Sequence, residues 1–179
     1  MTPQAESTGA FAPIKITLRD GRTVTVRAIN TNDAAEVQAA LGRVSEEARY
    51  TRFMGSLKEL SPAMLERAVS PLADRFLALV AVAGDAKSEV IVGGARYLGA
   101  ADDSCEFAVL IADDWQGAGL ASRLMKELIH DARACGLKRM DGYVLARNRS
   151  MLALARRLGF KVGPSEEGPS VKLVRLELA

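Results

Sequence analysis

Residues 105–135 constrain the fold more tightly than any other part of this 179-residue chain. They read as an apolar strand-like run (CEFAVLIA), a glycine-containing turn (DDWQGAG) and a helix with apolar residues about every four positions. Glycine lowers helix propensity, so glycines at a helix start indicate either a turn or a close approach of the backbone to another group. The first N–H groups of a helix are unpaired and lie at the positive end of its dipole. This segment therefore predicts a strand–turn–helix unit that could hold an anion.

Strand-like and helix-like runs alternate along the rest of the chain. Asp20-Gly21 lies between two β-rich runs, a hairpin signal because both residues tolerate positive φ angles. Ser61-Pro62 and Asn148 carry residue types that start helices, and further helices are predicted near residues 31 and 45. The other strand-like runs are FLALVAVA, EVIVGGARYLG, KRMDGYVLA and VKLVRLEL. This order predicts a mixed α/β sheet with helices on both faces.

The composition is that of an ordinary globular protein, with 49% hydrophobic residues, 26% charged residues and a net charge of +2. The lack of a basic stripe argues against a nucleic-acid partner, and no apolar run reaches the ~18–20 residues that a membrane span needs. Cys105 and Cys135 fit no metal-ligand spacing, and without a secretion signal we expect free thiols, a cytoplasmic location and no metal. Residues 1–13 are predicted to be a flexible tail and residues 14–179 a single domain. No sequence feature indicates the oligomeric state.

The glycine turn resembles a known loop. Its spacing is neither that of a P-loop nor that of a dinucleotide-binding fingerprint. Residues 116–121, Gln-Gly-Ala-Gly-Leu-Ala, match the Gln/Arg-x-x-Gly-x-Gly/Ala pyrophosphate loop of GNAT-superfamily N-acetyltransferases. Further along, Asn148 precedes a helix that ends in ARRLGF, similar to the family's Asn-…-Leu-Gly-Phe segment. The two motifs occur in the family's order.

The resemblance extends to one branch of the family and covers residues 14–179. SEEARYTRFMGSLKELS, FLALVAV, CEFAVLIADDWQGAGLASRLM and NRSMLALARRLGF resemble the acetyltransferase domain of Pat-type bacterial protein lysine acetyltransferases. Many relatives in that branch carry a large additional module that does not fit in 179 residues, so we expect the catalytic module alone. The implied fold is the GNAT fold, a mixed and mostly antiparallel sheet with one splayed parallel strand pair.

The resemblance also implies acetyl-CoA as the cosubstrate and a set of residues that bind it. The pantetheine arm would lie between CEFAVLIA and RMDGYVLA, and the side chain of Asn148 would contact it, cap its own helix, or do both. The implied donor-binding residues are the backbone groups of Val109, Leu110 and Ile111 for pantetheine, and Gln116, Gly117, Ala118, Gly119, Leu120, Ala121 and Ser122 for the pyrophosphate.

Glu106 is the candidate general base, because the Pat-type branch has a glutamate at the matching position. A base is needed because an amine must be neutral to attack the thioester. Many family members carry a tyrosine acid on the last helix, but the matching residue here is Ala155, which leaves water or Tyr143 to protonate the CoA thiolate. The acceptor is predicted to be a protein lysine. There are two alternatives. The acceptor is a small amine, or the protein is a non-catalytic acyl-CoA sensor that has no acceptor.

Overall fold

The structure, a computed structural model, describes residues 11–55, 57–70 and 75–179. Within these ranges the strands are β1 (Ile14–Thr17), β2 (Thr23–Ala28), β3 (Phe76–Ala83), β4 (Val90–Gly99), β5 (Ser104–Ile111), β6 (Arg139–Leu145), β7 (Lys161–Pro164) and β8 (Val171–Glu177). The α-helices are α1 (Ala34–Arg43), α2 (Glu46–Phe53), α3 (Pro62–Val69), α4 (Leu120–Ala134) and α5 (Arg149–Arg157). Of the predicted tail, residues 1–10 lie outside the described ranges, and residues 11–13 have no regular structure.

The strands form one sheet in the order β1-β2-β3-β4-β5-β6-β8-β7. Every neighbouring pair is antiparallel except β5 and β6, which run parallel. The parallel pair is short: it runs from Ser104 opposite Arg139 to Glu106 opposite Asp141. Beyond that point β5 and β6 continue without pairing to each other. The mixed, mostly antiparallel sheet with one splayed parallel pair is therefore confirmed.

Helices cover both faces of the sheet, as predicted. On β3, Leu79 and Ala81 belong to the large core cluster on the α4 side. Val80 and Val82 alternate with them and pack with Val37 of α1 on the other side. Helix α4 also contacts β4 and β5, whereas α1 contacts β4 and α2 contacts β5. The continuous apolar run of β3 follows from this burial on both faces.

The predicted hairpin and helix starts are present. Gly21 has a φ angle of 87° in the turn between β1 and β2. The Ser61 hydroxyl accepts a hydrogen bond from the Met64 N–H, so Ser61 caps α3 with Pro62 in its first turn. Near residue 31 a short 3-10 turn precedes α1, and its cap is Asn30, because the Asn30 side chain accepts from the Asn32 N–H.

An aromatic ring lies at the point where β5 and β6 separate. Phe107, one residue beyond the last parallel pair, packs its ring against the backbone of Gly142 in β6. A Cβ atom at residue 142 would lie 2.3 Å from Cε1 of that ring. Phe160 meets the ring edge to face, with centroids 5.3 Å apart. The strand can pass this close to the ring only because residue 142 has no side chain.

Candidate active site

The loop before α4 needs its two glycines. Gly117 has a φ angle of 77° and Gly119, the residue before the helix, one of 91°. Both values lie in the left-handed region that other residues enter only with strain. Ala118 between them is buried, and its carbonyl accepts a hydrogen bond from the N–H of Arg19 at 3.2 Å. A backbone hydrogen bond thus joins this loop to the turn between β1 and β2.

The first turn of α4 presents unpaired donors. The N–H of Arg123 donates to the carbonyl of Gly119 at 3.1 Å, the first bond of the helix ladder. The N–H groups of Leu120, Ala121 and Ser122 come before it and have no partner within the helix. They lie at the positive end of the dipole, which is the requirement for binding a pyrophosphate. Their role in binding CoA stays a prediction.

The residues before this loop are engaged in holding it. The Gln116 amide donates to the carbonyl of Ile111 at 3.2 Å, which ties the loop to the end of β5. The guanidinium carbon of Arg22 lies 3.9 Å from the centroid of the Trp115 ring. The same guanidinium group donates a hydrogen bond to the carbonyl of Asp114. Asp113 accepts from the Ser45 N–H at 3.1 Å and so connects the loop to the start of α2.

The backbone of β5 alternates in direction beyond the parallel pair. The Ala112 N–H donates to the carbonyl of Val92 at 2.9 Å, so Ile111 and its partner Gly93 form a non-hydrogen-bonded pair. The N–H and carbonyl groups of Ile111 and Val109 therefore point away from β4, into the gap beside β6. Those of Leu110 point toward β4. The two outward-facing residues are the ones able to pair with a pantetheine arm, which stays a prediction.

Glu106 occupies the end of the parallel pair and faces away from Phe107. Its exposed side chain lines a cavity of about 410 Å³, together with Arg52, Arg96 and Tyr143. Among the described residues, no basic nitrogen lies within 4 Å of its carboxylate. Asp141, opposite Glu106 on β6, is instead paired with Arg175. An unpaired carboxylate at this position can accept a proton from an incoming amine.

The other candidate residues have simpler surroundings. Asn148 accepts from the Met151 N–H at 3.2 Å and so caps α5, while its contact with pantetheine stays a prediction. Residue 155 is a fully buried alanine and has no acidic group, whereas Tyr143 is 42% exposed in the Glu106 cavity. Burial raises the pKa of the Cys105 thiol to about 12, which leaves almost no thiolate for a nucleophilic role.

A second, larger cavity of about 450 Å³ lies between α1–α3 and the sheet. Its lining is mostly apolar and includes Phe53, Met64 and Leu110. Arg52 and Arg96 line both this cavity and that of Glu106, and the sequence interpretation missed them. Arg96 gave a signal, because it is the one charged residue within the apolar run VIVGGARYLG. Arg52 gave none, because an arginine on a short polar helix is usually solvated.

Two further findings hold for residues 11–55, 57–70 and 75–179. No helix there is both long enough and apolar enough to span a bilayer. No cluster of three or more histidine, cysteine, aspartate or glutamate side chains is arranged to hold a metal ion.

The sheet order, the short parallel pair and the loop before α4 together define a GNAT fold. Residues 46–160 match the model of the acetyltransferase (GNAT) family, and the chain belongs to that family. It is an acetyltransferase whose reaction is an acetyl-CoA-dependent acetylation.

Three relatives illustrate the similarity. The chain is 35% identical to acetyltransferase PA5475 of Pseudomonas aeruginosa, over 95% of this chain and 94% of that protein. It is 29% identical to acetyltransferase Pat of Mycolicibacterium smegmatis, over 83% of this chain but only 44% of that longer protein. The crystal structure of the GNAT domain of S. lividans PAT superposes with a TM-score of 0.84 at 27% identity, covering 92% of this chain and 96% of that domain.

Proposed function

We propose that the protein transfers the acetyl group of acetyl-CoA directly to the ε-amine of a lysine in another protein, with Glu106 as the general base. The observation that carries the proposal is the position of the Glu106 carboxylate. It is exposed to a cavity at the last residue before β5 and β6 separate, and no described cation pairs with it. The resemblance to Pat-type lysine acetyltransferases supports a protein lysine as the acceptor.

The base is required by the acid–base chemistry of lysine. With a pKa of ~10.4, only about one lysine in 2,500 is neutral at pH 7. Glu106 first takes a proton from the ammonium group, and the neutral nitrogen then bonds to the thioester carbon. The carbon–sulfur bond breaks, and the second N–H proton is released to water. The CoA thiolate then accepts a proton from water or from Tyr143, which lines the same cavity. This protonation is not demanding, because a thiol has a pKa of ~8.5.

The donor is held by backbone groups in this proposal. The unpaired N–H groups of residues 120–122 bind the pyrophosphate, and the glycines at 117 and 119 allow its close approach. The outward-facing groups of Val109 and the N–H of Ile111 pair with pantetheine, and an N–H among them polarises the thioester carbonyl. The Ile111 carbonyl already accepts from the Gln116 amide. This hydrogen bond joins the loop to β5 and so connects the two parts of the donor site.

The test combines donor binding with transfer. We expect acetyl-CoA, but not ATP or NAD, to raise the melting temperature. Acetylation of lysines in a candidate protein should fall about 10²–10⁴-fold in Glu106→Gln, with the acetyl-CoA stabilisation retained. Glu166→Gln, in the exposed turn between β7 and β8, is the matched control and should leave turnover unchanged. Unchanged turnover in Glu106→Gln would show that the base is another group.

The same assay separates the alternatives. Small amines are supplied in parallel with protein substrates. Transfer to small amines alone would identify a small-molecule acetyltransferase and refute the protein-lysine acceptor. Stabilisation by acetyl-CoA without transfer to either class would identify a non-catalytic acyl-CoA sensor.

A cytoplasmic location and a single domain over residues 14–179 complete the proposal. The domain assignment is supported by one continuous sheet whose eight strands lie in that range.

A further inference from the structure

Arg52 and Arg96 approach the Glu106 carboxylate from two different elements. On the sheet, Arg96 is opposite Ala108 and Leu98 is opposite Glu106, so Arg96 and Glu106 are diagonal neighbours on the same face. Diagonal neighbours lie ~7–8 Å apart between Cα atoms, within reach of long side chains. Arg52 comes from the last turn of α2, the helix that covers this part of β5. All three side chains line the same cavity.

Neither guanidinium is paired within the part of the chain that the structure describes. The ion pairs and side-chain hydrogen bonds found there include no carboxylate partner for either, and Arg52 only lies against the ring of Phe53 at 4.8 Å. Other arginines with limited exposure are engaged. Arg27, for example, is held by both Asp33 and Glu89. An arginine carries five donors in a planar fork and is usually paired with a carboxylate or phosphate when it leaves water.

Two arginines and two carboxylates, Glu106 and Asp141, line the cavity. Asp141 is already held by Arg139 and Arg175, which leaves Glu106 as the lining carboxylate without an ion pair among the described residues. Burial, followed by the charge of Arg96, lowers the pKa of Arg52 to about 10, and the nearby charge of Glu106 only partly offsets this. Two guanidinium groups without an ion pair therefore face one carboxylate that is not already paired, in a partly desolvated space. A further carboxylate, brought by the acceptor, would relieve the repulsion between the two guanidinium groups and supply acceptors for their unused donors.

We propose that the acceptor carries a carboxylate beside its reactive amine, and that Arg52 and Arg96 bind this carboxylate while Glu106 faces the amine. The proposal rests on the proposed function, because it assigns Glu106 to the amine. The recognised chemistry is a carboxylate next to an amine. A lysine with an acidic neighbour in a protein presents it, and so does a free amino acid.

The proposal is tested first by binding, which requires no turnover. Two probes resemble the two kinds of product: an N-acetyl amino acid, and a short peptide with Nε-acetyl-lysine beside an acidic residue. Each probe and its uncharged amide counterpart are titrated calorimetrically into the protein saturated with CoA. We expect the carboxylate form to bind at least 10-fold more tightly than the amide. Arg96→Gln and Arg52→Gln should each remove that preference, while Arg67→Gln, which lines only the larger cavity, should retain it. Equal binding of the two forms to the wild type would overturn the proposal.

Transfer assays then distinguish the two sources of the carboxylate. Lysine peptides with an acidic neighbour are compared with the same peptides carrying the corresponding amide, and free amino acids with their amides. In each variant we expect KM for the acidic acceptor to rise about 10-fold with a smaller change in kcat, and stabilisation by acetyl-CoA to stay unchanged. Absence of transfer to every acceptor would refute the proposed function alone, because the calorimetric preference is measured independently.

Discussion

Gly142→Ala should destabilise the protein because the new methyl group would occupy the space of the Phe107 ring. The added Cβ would lie 2.3, 2.5 and 2.9 Å from Cε1, Cζ and Cδ1 of that ring. Carbon atoms in contact normally lie ~3.5–4.0 Å apart, so the overlap exceeds about 1 Å. The ring has little room to retreat, because it is 6% exposed and packs against Phe160.

The magnitude follows from the cost of overpacking a core. Such insertions cost ~1–3 kcal/mol, and overlap with three ring atoms places this one at about 3 kcal/mol. For a chain of this size each kcal/mol lowers the melting temperature by ~2–4 °C, which predicts a fall of roughly 6–12 °C for Gly142→Ala. Thermal unfolding followed by circular dichroism measures it directly.

Two comparisons make this reasoning refutable. Gly163→Ala is the matched control, because Gly163 also lies in a strand but a Cβ there meets no atom within 4 Å. It should change stability by less than about 0.5 kcal/mol. Adding Phe107→Leu to Gly142→Ala should cost at least about 1 kcal/mol less than the sum of the two single changes, because the smaller side chain makes room. A melting temperature for Gly142→Ala equal to that of Gly163→Ala, or strict additivity, would refute the proposed clash.

Two further outcomes are expected. At pH 8, iodoacetamide should modify Cys135 before Cys105 in the folded protein, because burial raises the pKa of the Cys105 thiol to about 12. In urea both cysteines should be modified. Peptide masses measure the labelling, and fast labelling of Cys105 in the folded protein would contradict its burial. Burial alone would raise the pKa of Asp33, but hydrogen bonds from Arg27 and a backbone N–H outweigh it and lower the pKa. Asp33→Asn should therefore lower the free energy of unfolding by about 2 kcal/mol at pH 7. The loss is less than that of leaving a buried charge without a partner, because Arg27 keeps Glu89. In urea titrations this difference between wild type and variant should disappear as the pH falls below ~3.9 through the lowered pKa of Asp33. An unchanged difference at low pH would exclude the ion pair as its source.

The local features could be predicted from the sequence because single residues determine them. Asp20-Gly21 specifies a tight turn, Ser61-Pro62 a helix start, and the glycines at 117 and 119 a left-handed loop before a helix. Each effect acts within a few residues, so neighbouring sequence suffices.

The surroundings of the site could not be predicted in the same way. Arg52 meets Arg96 and Glu106 only because α2 packs over β5, and nothing in a short polar helix specifies that docking. Likewise, the sequence predicts only that Gly142 lowers the strand propensity of its segment, and not that the ring of Phe107 packs against it. Contacts between residues distant in sequence depend on how elements pack, and periodicity carries no information about that.

The shortness of the parallel pair has a consequence for local stability. Strands β1 to β5 are joined by antiparallel ladders of at least four residue pairs each, with one bulge between β3 and β4, whereas β5 and β6 share three residue pairs. The amides of Val109 and Ile111 thus lie in the middle of the sheet and yet lack a neighbouring strand on one side. In hydrogen exchange they should behave like edge amides, unprotected at the centre of a folded domain. A bound pantetheine arm would act as the missing strand, so protection of these two amides would report occupancy of the donor site.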